Sequence, residues 1–361
     1  MDPYSADPVS LPAVSVIIPA FSSDRWDGLL QTVASVHAQT VKVAQTVVVI
    51  DHNPELMAMA AREMPGVTVI ANAGIRGASG ARNTGAAASR GEILAFLDDD
   101  VVASPNWLDS LVGHFKNPAV VGVGGRLKPL WQTRRPRWFP PEFDWALGCS
   151  YLGMPESATP VRNVWSGNMV IRRTVFNAVD GFRKGFGKVD SRSRPEDTDL
   201  CLRAAGYDDG GIWIYEPGAI VSHRIPVGRS TFHYFLRRCY YEGQGKAALV
   251  SFNGGTESIA EERRYTRRIL PYAIKRGIRE TARGEASGMA RNFAIVAGLS
   301  FAAAGFFVDY LVENIMARNK PAMARSTDTE QEVPRSTPWH SDSNVRAEYQ
   351  NTVRRKGGEP R

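Results

Sequence analysis

The chain has 361 residues, 43% hydrophobic and 22% charged, enough apolar mass for one large core or two fused ones and unlike a disordered or fibrous protein. Its three cysteines, Cys149, Cys201 and Cys239, stand far apart without CxxC spacing, which argues against a disulfide scaffold or a zinc site and fits a reducing cytoplasm. A formal net charge of +7 favours anionic partners: nucleic acid, anionic lipid headgroups or a phosphorylated substrate.

In chain order, the first dozen residues lack the basic start and apolar stretch of a secretory signal, so the catalytic part is expected in the cytoplasm. Val14 to Ile18 reads as a buried strand ending at Pro19. Trp26 to Gln39 has apolar residues at helical spacing, and Thr46 to Ile50 is a second β-branched strand. Val67 to Ala71 repeats the strand signal, Ala78 to Ser89 is a helix of small residues, and Glu92 to Leu97 is a strand closed by three aspartates. Alternating strands and helices imply an α/β fold with a mostly parallel, Rossmann-like central sheet flanked by helices. Ligands of such sheets sit beyond the carboxyl ends of the strands, so Pro19, Asp51 and Asp98 to Asp100 should converge on one pocket.

From about Val120 the texture changes to loops rich in Pro, Gly and Trp, including Trp131, Trp138, Trp145 and Trp165, which reads as an acceptor-binding half. These tryptophans are candidates for stacking on a ligand or for anchoring a core. After Gly228, Phe232, Phe235, Leu236, Cys239 and Tyr240 mark an amphipathic helix. A basic helical stretch from Arg263 to Arg283 follows, then a continuously apolar or small run from Phe293 to Val308. Beyond Ala317 the polar, aperiodic sequence is expected to be a disordered tail.

Two acidic clusters carry the chemistry. Asp98, Asp99 and Asp100 at a strand end can meet a diphosphate through Mg²⁺ or Mn²⁺, hard cations that take oxygen ligands and share them with phosphates. The alternative is a solvated acidic turn. Glu196 and Asp197 open a predicted helix, where carboxylates serve either as caps or as a catalytic base, and the flexible run Gly185 to Arg194 before them favours a site. His223, after the strand Ala219 to Val221, is a candidate for completing a Mn²⁺ shell or for a structural role.

Five ordered motifs across residues 13 to 245 resemble those of glycosyltransferase family 2: Val14 to Phe21, Val48 to Asp51, Gly80 to Gly85 followed by Phe96 to Asp100, Ser166 to Met169, and Glu196 to Leu200. The resemblance implies a GT-A fold with a C-terminal helical extension and an inverting, metal-dependent transferase that uses a nucleotide-sugar donor, most commonly one of uridine. By position it assigns nucleotide contacts to Pro19, Ala20, Phe21, Asp51, Arg82, Asp98 and Asp99. Metal binding falls to Asp100 with His223, the catalytic base to Asp197 with Glu196 as the alternative, and the acceptor sugar to Trp165, Gly167 and Asn168. Two positions depart from the family pattern at base and ribose contacts: Ser22 stands where Asn is frequent, and Asp51-His52-Asn53-Pro54 lacks a closing serine.

The expected organisation is an N-terminal tail over 1–12, a nucleotide-sugar half over 13–115, an acceptor half over 116–228, C-terminal helices over 229–318 and a tail over 319–361. The apolar segment 293–308 would make about 24 Å of helix against a hydrocarbon core of about 30 Å, and Asp309, Glu313 and Asn314 interrupt any extension. It therefore reads as an interfacial helix, a span or a core helix. With the basic stretch beside it facing anionic headgroups, the protein is expected at the cytoplasmic face of the cell membrane, acting on a glycan or lipid-linked acceptor.

A dinucleotide-binding enzyme is disfavoured because the turn Pro19 to Asp24 has no glycine, and Gly243-Gln-Gly-Lys246 lacks the upstream glycine and following Ser or Thr of a phosphate-binding loop. Nucleic acid is disfavoured because the basic stretch borders an apolar segment instead of base-stacking aromatics. A non-catalytic glycan-binding relative remains the alternative from another class.

Overall fold

The computed structural model describes residues 11–189, 192–207, 210–253 and 260–319. Most of the expected N-terminal tail, part of the run before Glu196 and the C-terminal tail from 320 on lie outside the described residues.

The first half alternates as the sequence pattern requires: β1 (Val14–Ala20), α1 (Trp26–His37), β2 (Gln45–Ile50), α2 (Pro54–Glu63), β3 (Thr68–Ala71), α3 (Ala78–Ala88) and β4 (Ile93–Leu97). β1, β2 and β4 are β-branched or apolar almost throughout because helices cover both faces of this parallel region and nearly every side chain is buried. The parallel register pairs Ala20 with Ile50 and Ile17 with Phe96, so the three strands end along one edge. α2 starts where Asn53 accepts the Leu56 N–H at 3.0 Å and Pro54 presets the first turn. α3 lies so close to the sheet that a Cβ on Gly85 would sit 2.4 Å from Ile17 Cγ2.

The second half adds β5 (Val101–Ala103), α4 (Trp107–Val112), β6 (Val120–Trp131), β7 (Thr159–Val161), β8 (Asn168–Arg172) and α5 (Arg173–Ala178). The short hairpin of β9 (Gly187–Val189) and β10 (Arg192–Arg194), then α6 (Glu196–Ala205) and β11 (Ile212–Ile225), complete it. The main sheet runs β3-β2-β1-β4-β8-β6-β11-β5, with β7 also on β11. The α/β class of the sequence reading holds. Parallel pairing runs from β3 to β4 and then mixes, because β8 lies antiparallel to both β4 and β6. The chain reaches β8 from β6 through loops and a 3-10 turn at Pro141–Leu147, not through the helical crossover that a parallel neighbour needs. One sheet thus serves both expected halves. Its two faces carry separate cores, one with Leu29, Val33 and Trp107, the other with Ala81, Phe96, Phe176 and Leu200.

Four helices follow: α7 (Phe232–Asn253), α8 (Ala260–Arg264), α9 (Leu270–Ala282) and α10 (Ser287–Asn319), with a π-helical turn at Tyr265–Ile269. The helix holding segment 293–308 is longer than the sequence reading allowed. Ser287–Val312, 26 residues of mean hydropathy 1.9, is long and apolar enough to cross a membrane, because one carboxylate at Asp309 does not break an α-helix. α7 and α10 touch at backbone distance: a Cβ on Gly243 would sit 1.9 Å from the Ala302 carbonyl oxygen, and one on Gly305 would sit 2.0 Å from that of Tyr240. Gly243→Ala is therefore expected to wedge the pair apart at a cost of about 1–3 kcal/mol. Thermal unfolding should show a Tm several degrees lower, and an unchanged Tm would contradict the close approach.

Candidate active site

The edge where β1, β2 and β4 end carries the first group of expected residues. Ala20 is buried and its carbonyl accepts the Asp51 N–H at 2.7 Å, which binds the ends of β1 and β2 together. Pro19 is half-buried within the strand, so of Pro19, Ala20 and Phe21 only Phe21, 51% exposed, turns a large face to solvent. Asp51 accepts from Asn72 Nδ2 at 2.6 Å, from the Gly77 N–H at 2.8 Å, and pairs with His52 Nδ1 at 2.9 Å. These bonds hold the loop before α3 against the strand end, and Gly77, at φ +124°, supplies the backbone turn that an L side chain would strain. His52 takes a positive φ of 53°, a sparsely populated conformation of the kind that clusters at functional sites.

The aspartate triplet divides its work. Asp99 points inward: burial pushes its carboxyl up to about 6 against the pull of Arg25, whose Nη1 lies 2.7 Å from Oδ1. Its other oxygen, Oδ2, is buried without a hydrogen-bond partner. Arg25 also reaches Asp100 at 3.2 Å and lies 5.1 Å over the Phe21 ring. Asp100 faces His223 Nε2 at 3.3 Å and Arg229 at 3.9 Å. Burial alone would raise it, but the hydrogen bond to His223 and the charges of His223, Arg25 and Arg229 hold it down at about 2, fully ionised at neutral pH. The two metal candidates are thus neighbours, although they stand 123 positions apart in the chain. Among the described residues no three His, Cys, Asp or Glu side chains form a ready metal cage. One carboxylate and one imidazole fit Mn²⁺ or Mg²⁺ that shares its remaining shell with phosphate and water.

Arg82 stands between the two acidic motifs. It projects from α3, almost fully buried, and its guanidinium reaches Asp98 Oδ1 at 2.8 Å and Glu196 Oε1 at 3.4 Å. It ties the triplet to the second acidic pair. Gly167 lies directly against Asp98: a Cβ there would meet Oδ2 at 2.6 Å, so glycine is what lets the carboxylate lie flat on the β8 approach. Asn168 is fully buried, accepts from Trp107 Nε1 at 2.7 Å and donates to the Arg126 and Ala219 carbonyls at 3.2 and 3.1 Å, so both amide hydrogens and one oxygen lone pair go to bracing β6, β8 and β11.

The tryptophans also divide. Trp131, Trp138 and Trp145 pack with Phe139, Phe143, Phe232 and Phe235 at ring separations of 5.1–5.6 Å, and Trp145 Nε1 donates to the Tyr265 hydroxyl. They anchor the segment around residues 131–145 to the C-terminal helices. Trp165, next to Gly167, is half-buried and meets Tyr151 edge to face at 6.5 Å.

Asp197 opens α6, where its Oδ1 accepts the Thr198 N–H at 2.7 Å. Burial, reinforced by the Glu196 carboxylate, pushes Asp197 up to about 7. Lys246 of α7 opposes that rise and is itself held by Glu242 at 3.0 Å and Glu262 at 2.9 Å, and Arg162 joins the network through Glu262 at 2.8 Å. Asp199, the remaining carboxylate of the motif, is consumed by Arg183 and Arg203 in the core. Arg25, Arg229, Lys246 and Arg162 were not singled out from the sequence as site residues. Arg229 follows His223 by six positions, and Lys246 stands in the Gly243 to Lys246 motif that was weighed only as a phosphate loop.

A family model described as glycosyl transferase family 2 matches residues 15–180. A glucosyl-dolichyl phosphate glucuronosyltransferase of Haloferax volcanii is 33% identical over 242 residues, covering 65% of this chain and 77% of that protein. A pre-mycofactocin glycosyltransferase of Mycobacterium tuberculosis is 32% identical over 179 residues, 48% of this chain and 35% of that protein. Among solved structures, the mannosyltransferase PcManGT from Pyrobaculum calidifontis in complex with GDP-Man and Mn²⁺ superposes with a TM-score of 0.51 at 18% identity, covering 88% of this chain and 79% of that one. That likeness is one of fold, and it is the GT-A fold.

Proposed function

The chain belongs to glycosyl transferase family 2, and from that premise we propose that it is an inverting, divalent-metal-dependent enzyme that moves a sugar from a uridine nucleotide donor to a hydroxyl of a lipid-linked or glycan acceptor at the cytoplasmic face of a membrane. That it is a glycosyltransferase acting on a lipid or glycan acceptor follows from its relatives. The observation that supports the finer reading is the contact chain Asp98–Arg82–Glu196, which joins the two acidic motifs.

On this reading Phe21 offers a stacking face for the base, and the Asp51 carboxylate, at the neighbouring strand end, offers acceptor oxygens for an imide N–H. Asp100 and His223 would hold the cation, which when bound supplies Lewis-acid stabilisation of the departing diphosphate. Arg25 and Arg229 stand beside Asp100 and add positive charge where the leaving group gains its negative charge. Asp197 takes the acceptor hydroxyl proton as the new bond to the anomeric carbon forms and the bond to the diphosphate oxygen breaks. The proton ends on Asp197 and the electron pair on the nucleotide diphosphate, with no covalent intermediate.

A base must be ionised to act, so kcat/KM is expected to rise with pH through an apparent pKa near 7 and to fall about tenfold per unit below it. The groups facing Asp197 are Glu196, Thr198, Cys201 and Arg82 on one side and Lys246 and Glu242 of α7 on the other. Lys246→Met, which removes the cation opposing the rise, should move this limb to higher pH. A rate flat between pH 5 and 8 would reject Asp197 as the base. Competition by UDP, GDP, CDP and dTDP measures the nucleotide preference, and guanosine belongs in the set because the solved mannosyltransferase carries GDP-Man.

A further inference from the structure

We propose that α9 and α10 form an in-plane membrane-docking face that rests on one leaflet, with α10 lying along the bilayer instead of crossing it. The inference deepens the reading above by committing to how the enzyme meets the membrane, and it rests on that reading only for which side it faces.

Three observations carry it. First, one side of α10 is occupied by α7: Gly298 lies on Phe235, Ala302 on Gly243 and Gly305 on Tyr240. These contacts run for about 10 Å of helix. A crossing α10 would draw the adjoining part of α7, with its exposed Arg237 and its partly exposed ion pair Glu242–Lys246, into hydrocarbon, where such charges are strongly disfavoured.

Second, the opposite side of α10 is apolar and open. Met289, Phe293, Val296, Phe307 and Leu311 recur at helical spacing, with Phe293 66% and Phe307 62% exposed. Third, α9 presents a face of mixed character, in which exposed Tyr272 and Ile278 share helical spacing with exposed Arg268, Lys275, Arg279 and Arg283. Its one carboxylate, Glu280, is only half-exposed and is engaged by Arg276 and Arg291. Apolar side chains set among cations that form no ion pair among the described residues match a bilayer with anionic headgroups.

The face is fixed to the active site. Arg276 of α9 pairs with buried Glu142 at 3.0 Å, and the Tyr265 hydroxyl donates to the Glu142 carbonyl at 2.9 Å. The turn they hold ends at Gly148, where a Cβ would stand 3.5 Å from the His223 ring. Docking would thus set the height of the cleft above the leaflet, within reach of a lipid-linked acceptor.

The test uses the full chain. In flotation, the protein should rise with vesicles containing anionic phospholipid, and Phe293→Asp with Phe307→Asp should cut the floated fraction at least tenfold while UDP affinity is retained. In sealed inside-out membranes from producing cells, Glu285→Cys and Asn319→Cys should both react with an impermeant maleimide, against a low background because Cys149, Cys201 and Cys239 are buried. Protection of Asn319→Cys until detergent is added would overturn the in-plane arrangement in favour of a span. A full chain that stays with the aqueous fraction, or self-associates through this face without lipid, would overturn docking altogether. Donor turnover in detergent is scored separately, so loss of docking with turnover intact sinks this inference and leaves the transferase reading standing.

Discussion

Asp197→Asn is expected to lower kcat by a factor of about 10²–10⁴ while nucleotide affinity stays within about twofold, because the substitution removes a proton acceptor used only as the acceptor hydroxyl attacks. The change is close to isosteric. The Asn carbonyl oxygen can still accept the Thr198 N–H that Asp197 Oδ1 accepts at 2.7 Å. Stability gives the control. The Asp197 pKa is raised in the fold to about 7, so the folded state holds this proton more tightly than the unfolded chain does. The stability contribution of the group is then full at acid pH and is lost as pH rises from the ordinary aspartate range through 7. Asn carries no such penalty, so the variant should melt at or above the parent temperature at pH 8, and lost activity cannot be put down to unfolding. Glu196→Gln is the contrast. Its carboxylate is tied to Arg82, and if this variant alone loses the near-neutral limb of the pH profile, the base assignment belongs to Glu196.

Asp100→Ala is expected to lower kcat/KM by about 10²–10³-fold and to abolish the response to added Mn²⁺ or Mg²⁺, since metal stabilisation of a leaving diphosphate is worth several kcal/mol. The geometry makes this variant more damaging than Asp99→Ala. Asp99 is turned inward onto Arg25, whereas Asp100 is held ionised beside His223. His223→Ala should show the same change in metal response to a smaller degree, because a carboxylate brings charge that a neutral imidazole does not. Equal losses in all three variants, with no altered metal response, would place the triplet in folding instead of catalysis.

What the sequence made legible follows from what its patterns encode. β-branched runs such as Val47 to Ile50 can be read because a strand buried on both faces needs apolar side chains almost throughout. The placing of Pro19, Asp51 and the triplet at neighbouring strand ends follows from parallel strands ending together. Side-chain reach across the fold was not legible. Arg82 lies 16 positions from Asp98 and 114 from Glu196, and nothing local in the sequence says that its guanidinium spans both. The same holds for Lys246, which enters from α7. Asn168 stands in a functional motif yet is a brace, because a fully buried amide with Trp107 and two carbonyls in reach satisfies itself there. Trp131, Trp138 and Trp145 were ambiguous because composition cannot tell a sugar platform from a core anchor. The length of α10 was underestimated because hydropathy marks where apolar side chains stop, whereas the helix backbone continues through Asp309.

The measurement that bears most directly on the central claim is release of nucleotide from a panel of nucleotide sugars by the full chain, in the presence of vesicles carrying polyprenyl-phosphate-linked acceptors, with Mn²⁺ or Mg²⁺ against EDTA. The account predicts release from a uridine donor that requires both metal and acceptor and is lost in Asp100→Ala and Asp197→Asn. Binding of donors without turnover under any metal or acceptor, or turnover that EDTA and both variants leave untouched, would contradict it.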